Sequence, residues 1–149
     1  MLNTVAHIGF TVSNLQNSID FYRDVLGLKY IGKMEMHGDS TNALFGKPDS
    51  DAEVAYLSTP DQNAPLVELI HFINQPTAID QPDLFKTSIS EFCFGVEDID
   101  AEYERLKGLG VKFISGPQMF DSTAYGFGKS KALYLFDPDG NILELIQPL

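Results

Sequence analysis

Two carboxylates sit where carboxylates are costly. Glu68 lies within Leu66-Val67-Glu68-Leu69-Ile70, and Glu144 lies within Ile142-Leu143-Glu144-Leu145-Ile146. A charge in so apolar a strand is strongly disfavoured if buried alone, and then needs a cation, a proton or water. Either glutamate taken singly is explained by a half-exposed strand pointing it to solvent, since buried carboxylates are rare. The two together recur at the same place in two similar segments, and His7 and Glu91 open the corresponding first segments. Four residues of ligand type at four matching positions favour a shared site over a solvated face. Three carboxylates gathered without a cation would repel one another and raise the pKa of at least one.

The elements that carry these residues form a repeat. His7-Ile8-Gly9-Phe10-Thr11-Val12 reads as a strand. Ser13 and Gln16 stand at capping-box spacing and open a helix, in which Leu15, Ile19, Tyr22 and Leu26 share one face. Gly27 stops it. Later, Glu91-Phe92-Cys93-Phe94-Gly95-Val96 aligns with positions 7–12 without a gap, and Asp98 is placed to cap a second helix. Ile99, Tyr103 and Leu106 repeat the apolar spacing, and Gly108 and Gly110 end it. Residues 61–70 match 137–146 as a turn followed by a strand, with Asp137-Pro138-Asp139-Gly140 supplying the turn dihedrals.

Two further strands fit in each half, over 28–37 and 52–59 in the first and over 111–114 and 131–136 in the second. Segment 38–51 has room for a helical turn around Asn42–Phe45, and 73–86, with Pro76 and Pro82, reads as a linker. The expected fold is α+β: one domain over 1–149, built of two βαβββ modules at 1–72 and 87–149. A helix packed on one face of each sheet leaves the other face free to curve into a cup. Strand alternation puts His7, Gly9 and Thr11 on one face, and Glu68, Ile70 and Phe72 on one face.

Composition narrows the function. The 149 residues are 44% hydrophobic and 21% charged, which excludes a disordered chain. No apolar run approaches the roughly 20 residues of a membrane span, and the first residues lack the pattern of a secretory signal. Cys93 is the single cysteine, so no internal disulfide forms and a reduced, cytoplasmic protein is expected. The net charge of −11 opposes nucleic-acid and membrane-surface binding. With Arg23 and Arg105 the only arginines, a large polyanionic substrate would find few cations.

The paired halves, with "HIGFTVSNLQNSIDFYRDVLGL", "LVELI" and "DPDGNILELIQP", resemble the vicinal oxygen chelate superfamily over nearly the whole chain. That group includes glyoxalase I, methylmalonyl-CoA epimerase, extradiol dioxygenases, and fosfomycin- and bleomycin-resistance proteins, so the resemblance speaks to fold far more than to substrate. It implies a divalent metal, held by His7 and Glu68 from the first module and by Glu91 and Glu144 from the second. Glu91 departs from the pattern, since metal-binding members often have histidine there. One imidazole and three carboxylates suit zinc, nickel, cobalt, manganese or magnesium.

The resemblance also implies a reaction. A metal holding two neighbouring oxygens of a small substrate stabilises the enolate or enediolate left when an adjacent C–H loses its proton. Glu144 is then the base, with Glu68 opposite as ligand or second base. The reading is a lyase, isomerase or epimerase acting on a small oxygenated carbonyl compound, as a homodimer. A metal-free, bleomycin-resistance-like binding protein is the alternative, to which a −11 surface would suit a cationic ligand. An extradiol dioxygenase ranks lower, because Glu91 stands where the second histidine of its iron site is needed.

Among the remaining residues, His71 falls on the opposite face of its strand from Glu68, and His37 sits at a strand end, near the rim. Cys93 reads as small packing on the inward face. "GFGKSK" at 126–131 lacks a glycine at Thr123, so it is no phosphate loop and reads instead as a glycine-rich lid bringing Lys129 and Lys131 to an anionic group. Met34, Met36, Phe45, Phe113, Met119, Phe120 and Tyr125 are candidates for an apolar pocket, most of them expected in the core. Metal analysis of the purified chain separates the two leading functions: bound divalent metal is expected for the enzyme and none for the binder.

Overall fold

The computed structural model describes residues 3–80, 82–87 and 89–149. Met1, Leu2, Gln81 and Ser88, which fall in the expected modules and linker, lie outside the described residues. The chain divides into two compact units, residues 1–79 and 80–149.

The first unit runs β1 (His7–Thr11), α1 (Leu15–Asp20), β2 (Lys29–Met36), α2 (Asp39–Phe45), β3 (Ala52–Ser58) and β4 (Leu66–Phe72). Its sheet order is β1-β4-β3-β2, with β1 parallel to β4 and the other neighbours antiparallel. The second unit runs β5 (Phe92–Gly95), α3 (Ile99–Gly108), β6 (Gln118–Asp121), β7 (Lys129–Phe136) and β8 (Ile142–Pro148). Its order is β5-β8-β7-β6, again with the first strand parallel to the last. Each unit is thus a mixed four-stranded sheet with helices, as the α+β reading expects. Placing the first strand beside the last brings residues about sixty positions apart into one row.

Each sheet buries one face beneath its helix. In the first unit α1 packs against β3 and β4, and Val12, Leu15, Ile19, Tyr22, Leu57, Val67 and Leu69 are buried. In the second, α3 packs against β8, with Ile99, Leu106, Leu135, Leu143 and Leu145 buried. Burial of each such side chain contributes about 1.5–3 kcal/mol. Val67 and Leu69 flank Glu68, so alternation turns Glu68 to the face away from them.

Helix starts show how local chemistry selects a cap. Asn14, in extended conformation, accepts from the Asn17 backbone N–H at 2.9 Å, so the cap is Asn14 and not the Ser13 of the expected capping box. Asp98 occupies the aligned position and accepts from the Ala101 N–H at 3.0 Å, as expected. The first helix does not continue as α-helix to Leu26. After Asp20 it widens into a π-helical turn over Phe21–Val25, closed by the Leu26 N–H on the Phe21 carbonyl at 3.0 Å.

The strand expected over 111–114 is also corrected. That stretch makes a single bridge, Phe113 to Leu135, and the sheet edge is β6 at Gln118–Asp121. Pro117 cannot donate to a ladder, and the preceding Ser115-Gly116 bend interrupts pairing before β6 resumes it. The helical turn expected around Asn42–Phe45 is a full short helix, α2, ended by Gly46 in the left-handed region.

The β7–β8 turn depends on one buried carboxylate. Asp137 accepts from the Asp139 N–H at 2.9 Å and from the Asn141 N–H and Nδ2 at 2.8 Å each, while Gly140 takes φ 85°. Replacing Asp137 with Ala strands these donors. The expected loss is about 2–3 kcal/mol of unfolding free energy, read as a lower denaturant midpoint with an unchanged slope.

Candidate functional site

The parallel pairing of β1 with β4 sets up a row across the first sheet. Gly9 is in register with Glu68, Glu68 with Tyr56, and Tyr56 with Gly32, so all four share one face. Glu68 is the buried acid of this row, 9% exposed, and both of its oxygens are engaged. The Tyr56 hydroxyl donates to Oε1 at 2.5 Å. Oε2 lies 3.5 Å from Nε2 of His7, whose side chain is 48% exposed, so the pair opens to solvent on the imidazole side. The His7 and Tyr56 rings meet edge-on at 6.2 Å between centroids.

Gly9 leaves the space that Glu68 uses. A Cβ added there would come within 3.1 Å of Oε2, tighter than the carboxylate tolerates without moving. The Tyr56–Glu68 contact also marks the phenol. Its pKa is pushed up to about 12, first because the hydroxyl donates to Glu68 and then because it is partly desolvated beside that charge.

The second sheet builds the same row with different chemistry. Cys93 is in register with Glu144, and Glu144 with Tyr134. Cys93 therefore stands where the first unit has Gly9. It is exposed, and not the packing residue expected. Its thiol is pushed up to about 12, first by desolvation, then by Glu144, which accepts from it and repels the thiolate, and then by the charge of Glu91. The Tyr134 hydroxyl is likewise raised, first by desolvation and then by the charges of Glu144, Glu91 and Cys93. Glu91 lies just before β5 and is half-buried, as is Glu144.

Of the residues singled out in the sequence, His7 and Glu68 are thus brought side by side in the first unit. Glu91 and Glu144 both act on Cys93 and Tyr134 in the second. Among the described residues, no group of three His, Cys, Asp or Glu that could hold a metal ion is found. Tyr56 and Tyr134 were not singled out. Their signal was in the repeat, where Ala55-Tyr56-Leu57 and Leu133-Tyr134-Leu135 precede the two glutamates.

Other candidates fall outside this row. His71 places Nδ1 3.2 Å from the Val12 carbonyl, on the opposite face from Glu68. His37 is exposed at the end of β2. Lys129 and Lys131 lie in β7, not in a lid, and pair with Asp121 at 3.2 Å and with Asp100, respectively. Met34, Met119, Phe120 and Tyr125 are exposed and not in the core. Phe113 packs edge-on against Tyr103, and Phe45 against Phe72. Phe45 and Phe72, with Lys47, Ser50 and Gln75, line a cavity of about 170 Å³, below the roughly 300 Å³ of ordinary small-molecule sites. No described helix is long and apolar enough to cross a membrane.

The chain belongs to the Glyoxalase/Bleomycin resistance protein/Dioxygenase superfamily, whose family profile matches residues 4–145. It is 30% identical over 144 residues to a probable lactoylglutathione lyase of Synechocystis, covering 95% of this chain and 92% of that one. It is 27% identical over 147 residues to the metallothiol transferase FosB of Staphylococcus haemolyticus, covering 97% and 84%. A solved glyoxalase family protein from Bacillus cereus superposes with a TM-score of 0.84 at 24% identity, over 100% of this chain and 96% of that one, which shows the shared fold.

Two titrations check the electrostatics of these rows. Cys93, although exposed, should react with iodoacetamide at pH 8 at least roughly tenfold more slowly than free cysteine, and Glu144→Gln should speed it. Equal rates in both proteins would contradict the role given to Glu144. The Tyr56 phenol should ionise near pH 12 in ultraviolet titration, and Glu68→Gln should lower that value. Because the folded pKa lies above the unfolded one, near 10, the stability from this contact is complete below about pH 10 and is lost as pH rises through about 12.

Proposed function

We propose that the chain is a metal-dependent enzyme of the glyoxalase type, which moves a proton next to a carbonyl of a small substrate. The reaction class is lyase, isomerase or epimerase. The observation that carries this reading is the His7–Glu68 pair. Two ligand atoms each about 2.0–2.2 Å from one divalent ion stand about 3–3.5 Å apart, and His7 Nε2 and Glu68 Oε2 are 3.5 Å apart. An imidazole beside a carboxylate also suits zinc, nickel, cobalt or manganese, and magnesium less well.

In this proposal His7 and Glu68 hold the ion with Glu91 and Glu144, the two modules act as one functional domain joined through 73–86, and the chain works as a homodimer in the cytoplasm. The bound ion supplies Lewis acidity to two neighbouring substrate oxygens. The protein's own groups do the rest. Glu144 takes the proton from the adjacent C–H and returns it at the neighbouring atom. The Tyr56 hydroxyl donates to Glu68 and holds its carboxylate in place. His7 is open to solvent on its imidazole side. The likeness to a probable lactoylglutathione lyase supports this class. The likeness to FosB supports a metal but would suggest thiol transfer.

One observation favours a second reading, a metal-free binder of small molecules. Glu68 already has a phenol donor and a neighbouring imidazole, so it can be buried without an ion. Elemental analysis of protein purified without chelator should find about one divalent ion per chain. Solvent-deuterium exchange should then appear on a 2-oxo compound or a hemithioacetal, vanish with chelator and return with metal. Glu144→Gln should cut turnover by roughly 10²–10⁴-fold. No exchange with any restored metal would end the enzyme reading, and full turnover in Glu144→Gln would end the choice of base.

A further inference from the structure

The duplicated rows are not equivalent. In the first, a tyrosine hydroxyl ties one oxygen of the glutamate at 2.5 Å, the register partner is a glycine, and the second oxygen faces His7 at 3.5 Å. In the second, the matching tyrosine is in register with Glu144, but among the described residues no phenol–carboxylate hydrogen bond joins them. There the register partner is a thiol, a weaker donor than a phenol. Glu68 is buried, whereas Glu144 is only half-buried. A carboxylate with one oxygen pinned by a phenol is held more firmly than one whose only such donor is a thiol.

We infer that Tyr56 is a positioning residue, which fixes the Glu68 carboxylate so that Oε2 is presented beside His7, and that Tyr134 plays no such part for Glu144. The cobalt readout rests on the metal-dependent reading, but the tethering of Glu68 does not. Gly9 belongs to the same device, because any side chain there would press on Oε2.

The test uses the full chain in two states. Metal-free protein carrying 13C-labelled glutamate is examined by NMR, and cobalt is titrated into wild type, Tyr56→Phe and Tyr134→Phe. Tyr56→Phe keeps the ring and removes only the donor. It should move the Glu68 carboxyl signal toward that of free glutamate, average its side-chain couplings over several rotamers, and weaken cobalt binding by roughly 10- to 100-fold. Tyr134→Phe should leave cobalt affinity within about twofold of wild type. The inference is overturned if the Glu68 signal stays unchanged in Tyr56→Phe, if cobalt affinity stays within about twofold, or if Tyr134→Phe weakens binding equally. Wild type that binds no cobalt, with a Glu68 signal that still moves in Tyr56→Phe, would overturn the metal reading and support the tether.

Discussion

The structure around the site depends on accommodating one carboxylate inside an apolar strand. Glu68 is flanked by Val67 and Leu69, both buried, and is itself nearly excluded from water. An unpaired charge there would be strongly disfavoured. Three neighbours offset that. Tyr56 donates a short hydrogen bond, His7 stands at ion-pair distance, and Gly9 withholds a side chain. Each comes from a different position along the chain, and the β1-β4-β3 order is what makes them neighbours. Sheet topology is therefore the device that converts an awkward residue into a placed one.

The second unit repeats the row with different chemistry. Replacing the glycine of the first row by Cys93 fills the space into which Glu68 leans in the other half. It also gives Glu144 a thiol neighbour, whose ionisation is suppressed by desolvation and by the carboxylates around it. The cysteine acts there as a weak hydrogen-bond donor to Glu144. Two glutamates that look interchangeable in the sequence thus differ in burial and in donor.

The fold was largely legible because its signals are local and repeated. Matching turn-then-strand segments marked β4 and β8, the room left in each half placed β3 and β7, and the Asp137-Pro138-Asp139-Gly140 turn announced its own dihedrals. Where local signals competed, the reading slipped by a residue or a segment. Ser13 and Asn14 are both good caps, and only the alignment of Asn14 with Asp98 distinguishes them. The edge strand was read at 111–114 because valine and phenylalanine favour strands, but Pro117 delays pairing to β6. Exposure of Met34, Met119 and Phe120 was not legible, since edge-strand residues and core residues share the same types. For the site, His7 and Glu68 stood out by residue type. Tyr56 did not, because an aromatic residue in a strand is ordinary, and its role arises only from register.

The claim at the centre is that His7 and Glu68 share a single ion. Anomalous diffraction from crystals soaked in cobalt, recorded on both sides of its absorption edge, tests it directly. The account predicts one strong peak per chain, about 2.0–2.3 Å from His7 Nε2 and from a Glu68 oxygen. A peak that avoids both residues, or none at a cobalt concentration that saturates the protein in solution, would contradict it.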